Sequence, residues 1–318
     1  MKEDWKLHHL GLVIKDMDKA VEYFESLGIG EIGPEEVLDR RGVSDYQVFG
    51  HKPKEDKTLA RQFKVGPITI NLLQPVVGET ATCEFMRDRG EGLNHVCLLV
   101  DDLEKETREL TEKGVLLMES MTSVGNHKFD TRKVGNMFLE LLQWTPERAA
   151  GGNGHPPPAW KRGDKMKEDW KLHHLGLVIK DMDKAVEYFE SLGIGEIGPE
   201  HVLDRRGVPD YQVFGHKPKE DKTLARQFKV GPITINLLQP VVGETASCEF
   251  MRDRGEGLNH VCFLVDDLEK ETRELTEKGV LLMESMTSKG NHKFDTRKVG
   301  NMFLELLQWT PERAAGGH

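Results

Sequence analysis

Four polar side chains in the first half of the chain, His9, Asn71, His95 and Glu140, recur 165 residues later as His174, Asn236, His260 and Glu305. Each lies in an apolar stretch that reads as a β-strand, as in Phe138-Leu139-Glu140-Leu141-Leu142. A lone carboxylate in such a strand is costly to bury unless it is paired or coordinated. Two imidazoles, a carboxylate and an amide make a donor set suited to a borderline divalent metal. One strand histidine alone is more often hydrogen-bonded scaffold than ligand; the symmetry of the set is what favours a shared ion.

The elements that must position these side chains form a weak internal repeat. His9 through Ile29 aligns without a gap at offset 86 with His95 through Val115, and each unit reads strand, helix, Gly, strand. Asp16 is the expected N-cap of the first helix, Met17, Ala20, Val21, Phe24 and Leu27 its apolar stripe, and Gly28 its end. Its twin begins at Asp101-Asp102 and stops at Gly114. The closing strands, Ile70 to Pro75 and Leu139 to Trp144, align at the shorter offset of 69, so the length difference falls in the middle hairpins. Side chains two apart on a strand share a face. His9, Gly11 and Val13 therefore oppose Leu10, Leu12 and Ile14, which pack under the helix, and His95, Asn71 and Glu140 likewise face away from the helices. Two such units packed about a pseudo-twofold would curl their sheets into one cleft and bring the four polar residues together.

The whole arrangement is then doubled. Residues 1–152 recur at 166–317 with five differences: Glu36/His201, Ser44/Pro209, Thr82/Ser247, Leu98/Phe263 and Val124/Lys289. The domains read as 1–150 and 166–318, with modules at about 1–80, 90–148, 166–245 and 255–313, joined by a Gly/Pro-rich linker over 151–165. Of the 318 residues 37% are hydrophobic and 31% charged, as in globular proteins. A net charge of −10 without a basic face argues against nucleic-acid partners. No run approaches the roughly 18–20 apolar residues of a membrane span, and Met1 to Lys6 lacks the apolar core of a signal peptide. The expected address is cytoplasmic, with Cys83, Cys97, Cys248 and Cys262 as buried free thiols.

The segments His9-Leu-Gly-Leu-Val-Ile-Lys-Asp-Met, Gly90-Glu-Gly-Leu-Asn-His95 and Phe138-Leu-Glu140-Leu together resemble the vicinal oxygen chelate superfamily, in its methylmalonyl-CoA epimerase and glyoxalase I branch. The resemblance covers nearly all of each copy. It implies an α+β fold of paired β-α-β-β-β modules forming a half-open barrel, two such domains in tandem. It further implies one divalent metal per copy (Co, Ni, Zn, Mn or Fe), held by His9, Asn71, His95 and Glu140, and by His174, Asn236, His260 and Glu305. Relatives usually carry Glu or Gln where Asn71 stands. With His9, His95 and Glu140 alone, the site resembles the two-His-one-carboxylate triad of non-haem iron oxygenases and the site of fosfomycin-resistance thiol transferases.

The activity implied is an epimerase or isomerase that moves a proton next to a carbonyl of a small-molecule substrate, such as an acyl-CoA. The ligand carboxylates Glu140 and Glu305 would serve one face, and an acid in the first module, counted as Asp45 and Asp210, the other. Many relatives carry no acid there, and the plainer reading of the two aspartates is that of solvated loop residues. The stretch Gly125 to Lys133 sits where relatives have a substrate-covering loop, so His127, Arg132, His292 and Arg297 are candidate anion contacts or simply parts of a surface hairpin. Arg61 and Arg226 would enter the cleft if their strand face points that way. A metal-free binding module like the bleomycin-resistance proteins is the non-enzymatic alternative. The tandem is expected to imitate the superfamily homodimer as an intramolecular pseudo-dimer.

Overall fold

The computed structural model describes residues 2, 4–149 and 167–315; the expected linker at 151–165 lies outside the described residues. The chain divides into two compact units, Lys2–Lys167 and Glu168–His318. The first contains β1 (Lys6–Val13), α1 (Met17–Leu27), β2 (Glu36–Leu38), β3 (Gln47–Val48), β4 (Asp56–Val65), β5 (Ile68–Gly78), α2 (Ala81–Arg89), β6 (Gly92–Val100), α3 (Leu103–Glu112), β7 (Leu116–Met121), β8 (Asn126–Asp130), β9 (Phe138–Gln143) and α4 (Pro146–Ala149). The second repeats this order from Lys171 to Ala314.

Local chemistry sets these boundaries. Asp16 caps α1, its carboxylate accepting from Lys19 N at 3.1 Å, and Gly28 ends the helix in the left-handed region at φ 64°. Met17, Ala20, Tyr23, Phe24 and Leu27 are buried, with Phe24 packed 5.1 Å from Phe63 of β4. Tyr23 thus takes the place expected for Val21. Asp102 caps α3 in the same way.

Each unit is one curled nine-stranded sheet, in the first copy ordered β2-β4-β5-β1-β6-β9-β8-β7-β3. In both modules the first strand lies parallel to the last, β1 with β5 and β6 with β9, and the modules join where β1 and β6 run antiparallel. This places the four polar residues on adjacent central strands. The offsets differ by 17 residues, the length of the stretch 39–55, which leaves β2 at one edge and returns through β3 on β7 at the other. The half-barrel mouth is thereby bridged. Helix α2 is not evident from periodicity. Thr80 caps it, and Ala81 and Phe85 pack with Val13, Met118 and Phe138 to fill one end of the concave face. Among the described residues no helix is long and apolar enough to cross a membrane.

Candidate metal centre

The central strands bring His9, His95 and Glu140 together. His9 Nε2 lies 3.1 Å from His95 Nε2, and Glu140 Oε2 lies 3.0 Å from His95 Nε2 and 3.7 Å from His9 Nε2. The second copy repeats this, with His174, His260 and Glu305 separated by 2.9–3.4 Å. All six residues are buried. Gly11 makes the first arrangement possible: it pairs with His95 across β1 and β6, and a Cβ there would fall 2.0 Å from His95 Cε1. The imidazole lies where a side chain at position 11 would be.

Burial pushes the His9 imidazole well below its ordinary range, helped by neighbouring His8. Burial and Lys128 push His95 down, and burial brings His174 down to about 4. Burial opposes charge on Glu140, yet the Lys128 ammonium beside it holds its carboxyl well below the usual carboxylate range. At neutral pH the imidazoles are therefore neutral and the carboxylate charged, so these contacts are not histidine ion pairs. His95 Nδ1 donates to Asn94 Oδ1 at 2.5 Å, which leaves a lone pair on Nε2. His9 Nδ1 and His8 Nδ1 share one proton over 2.7 Å. Nearby, Asn71 Oδ1 is buried with no hydrogen-bond partner, and so is Asn236 Oδ1. Lone pairs converging within 3.0–3.7 Å match neighbouring ligands of one ion with bonds of about 2.1 Å. The residues fit a divalent cation. A cation there would give the buried carboxylate and imidazole lone pairs a common partner.

A cavity of about 510 Å³ opens over the cluster, lined by all four polar residues and by the bridging stretch through Asp39, Arg40 and Val43. Lys128, within the Gly125 to Lys133 stretch, also lines it. It pairs with Glu140 across β8 and β9, is buried, and places Nζ 3.5 Å from Glu140 Oε2. Asn126 Nδ2 donates to the other oxygen of Glu140 at 2.8 Å. Two-residue alternation along Asn126-His127-Lys128, read against Glu140, is the signal that would have found both.

The other candidates lie elsewhere. His127 falls between Asn126 and Lys128, so it faces α3, where its nitrogens meet Thr107 Oγ1 at 2.7 Å and Thr122 Oγ1 at 3.0 Å. His292 does the same with Thr272 and Thr287. Arg61 shares a strand face with Phe63, which packs on α1, and it donates to Gly33 O at 3.2 Å rather than entering the cavity; Arg226 likewise reaches Gly198 O. Arg132 pairs with Asp130 and Glu84 beside the Phe138 ring, and Arg297 with Asp295 and Glu249. Asp45 does not line the cavity: its carboxylate accepts from Ser123 N at 2.7 Å and Ser123 Oγ at 2.6 Å, tying the bridging stretch to the turn before β8. Asp210 holds Ser288 in the same way. All four cysteines are free; Cys97 and Cys262 are buried as expected, whereas Cys83 and Cys248 are half-buried.

The family model described as Glyoxalase/Bleomycin resistance protein/Dioxygenase superfamily matches residues 8–132 and again 173–297. Bovine mitochondrial methylmalonyl-CoA epimerase is 23% identical over 123 residues, which span 38% of this chain and 62% of that protein. Lactoylglutathione lyase of Schizosaccharomyces pombe is 20% identical over 302 residues, covering 89% of both chains. Among solved structures, a mutant 4-hydroxymandelate synthase from Streptomyces coelicolor shares the fold with a TM-score of 0.65 at 15% identity, over 95% of this chain and 92% of that one. Matched twice in tandem, once in each half, the chain belongs to the glyoxalase/bleomycin resistance protein/dioxygenase superfamily, the vicinal oxygen chelate fold.

Proposed function

We propose that each copy is a divalent-metal-dependent epimerase or isomerase that moves a proton next to a carbonyl. The observation that carries this is the set of neutral imidazoles and ionised Glu140 converging beneath a cavity large enough for a small substrate, which Asn71 with its unpartnered Oδ1 also lines. His9, His95 and Glu140, with Asn71 as the weaker fourth donor, would hold the ion, which supplies positive charge where negative charge develops on a substrate oxygen. Glu140 is the carboxylate we assign to take or return the proton, since its Oε2 lies 3.0 Å from His95 Nε2 and 3.7 Å from His9 Nε2. Lys128, buried 3.5 Å from it, keeps Glu140 ionised and offers a substrate carboxylate or enolate oxygen a positive partner. The named relatives at 20–23% identity, an epimerase and a glutathione-adduct lyase, support proton transfer as the reaction type.

The test is to incubate the metal-loaded protein with a panel of acyl-CoA, hemithioacetal and catechol compounds in deuterated buffer and follow exchange by NMR. Exchange at the carbon beside a carbonyl, running anaerobically with Co, Ni, Mn or Zn, is the expected result. One second reading has a specific observation behind it: two imidazoles and one carboxylate with open positions are also the donor set of non-haem Fe(II) dioxygenases. Turnover that requires Fe(II) and consumes dioxygen would establish that reading and refute ours. A protein that binds a panel member without metal and without exchange would be a sequestering module instead.

A further inference from the structure

Two of the five differences between the copies change charge, and both fall at the cavity. Glu36 on β2 and Val124 in the turn before β8 line it in the first copy; the second copy has His201 and Lys289 there. The other three differences leave charge unchanged, and Ser44, Thr82 and Leu98 do not line the cavity. The frameworks around the exchanged positions are the same. Glu36 pairs with Ala60 and His201 with Ala225, while Arg148 donates to the carbonyl of Val124 and Arg313 to that of Lys289. Val124 and Lys289 are both exposed.

With imidazoles counted as neutral, Glu36, Asp39 and Glu140 balance Arg40, Lys128 and Arg148 around the first cavity. At the equivalent positions of the second copy, Asp204 and Glu305 stand against Arg205, Lys289, Lys293 and Arg313, an excess of two positive charges. We propose that the copies have diverged in ligand charge: the second site takes a chelating substrate whose tail, at the cavity mouth, is anionic, and the first takes the same reacting group on an uncharged tail. This rests on the metal-site reading above. A rim charge acts over roughly the 8 Å screening length of physiological salt, so two of them should separate the sites by about fivefold to tenfold in affinity for a singly charged tail. A doubly charged tail widens the gap.

The experiment uses the full chain with one site disabled at a time: Glu305→Gln leaves the first site, Glu140→Gln the second. Each variant, loaded with Ni(II), is titrated calorimetrically with acetohydroxamate, succinic monohydroxamate and a phosphonate-tailed hydroxamate. Acetohydroxamate should bind both sites alike, whereas the carboxylate probe should favour the second site about fivefold to tenfold and the phosphonate probe more, with the gap closing in about 0.5 M salt. The pair H201E/K289V should erase the preference and E36H/V124K should install it in the first site. All four substituted side chains already occur in the sister framework, so misfolding would not explain the outcome. Equal preferences at both sites, with acetohydroxamate bound, would overturn the divergence alone. Failure of every hydroxamate at both sites would overturn the metal reading and this inference with it.

Discussion

Replacing Gly11 with Ala tests the site by displacing a ligand without touching one. The added Cβ would stand 2.0 Å from His95 Cε1 and 2.6 Å from Nε2, against an ordinary carbon contact of about 3.5–4.0 Å. Either the ring or the strand must yield by about 1.5 Å. The strand cannot easily yield, because β1 is hydrogen-bonded on both sides, to β5 and to β6. The ring is the softer element, and moving it pulls Nε2 out of its 3.0 Å relation to Glu140. Changes merely behind a ligand lower metal affinity about 10- to 100-fold; displacing a ligand should reach at least the upper figure, about 2.7 kcal/mol. Overpacking should cost the fold about 1–3 kcal/mol. The assay is metal content by mass spectrometry after dialysis of the full chain. Wild type should retain one ion per copy, Gly11→Ala and Gly176→Ala one per chain, and the double variant essentially none, with far-UV circular dichroism unchanged. A Gly11→Ala protein that kept both ions at wild-type affinity would show that His95 is not a ligand or that the site is not where the geometry puts it.

Glu140→Gln keeps the shape and removes the charge, so metal affinity should fall by about 100-fold or more, whereas Asn71→Ala should cost about tenfold; the reverse order in a competitive chelator titration would invalidate the ligand ranking. Because His9 and His95 are already neutral and Glu140 already ionised near pH 7, binding should displace almost no protons there, and affinity should be flat as pH falls until the imidazoles protonate. Calorimetry in buffers of different ionisation enthalpy reads this directly. Burial also depresses His127, so the unfolded chain binds its proton first: the stability this residue contributes is full above pH about 6.5 and is lost as pH falls toward the folded value. Urea midpoints of His127→Gln should accordingly decline less between pH 7 and 5 than those of wild type. Asp45→Ala should lower the melting temperature by releasing Ser123 while leaving kcat/KM within about threefold; a loss of 100-fold, about 2.7 kcal/mol of transition-state stabilisation, would make Asp45 a catalytic base after all.

Much of this protein is legible in its sequence for reasons of periodicity. The doubled chain and the weaker repeat inside each copy follow from self-similarity, the capped helices from Asp16 and Gly28, and the ligand faces of His9, Asn71, His95 and Glu140 from the two-residue alternation of strands. Those signals are local; His9, His95 and Glu140 come together, and Asn71 lines the same cavity. What lay beyond them depends on which strand ends up beside which. Alternation leaves open which way the Arg61 face points, and the resemblance offers His127 only as part of a covering loop; the folded strands turn these residues toward α1 and α3. Lys128 acquires its meaning only from a register that sets it opposite Glu140. Helix α2 leaves a weak periodic trace because it covers one end of the barrel rather than a sheet face, and the 39–55 stretch reads as an ordinary loop until its far end pairs with β7. Gly11 shows the division most plainly. In sequence it is one glycine in an apolar strand; only the partner across the sheet, His95, makes the missing side chain part of the site.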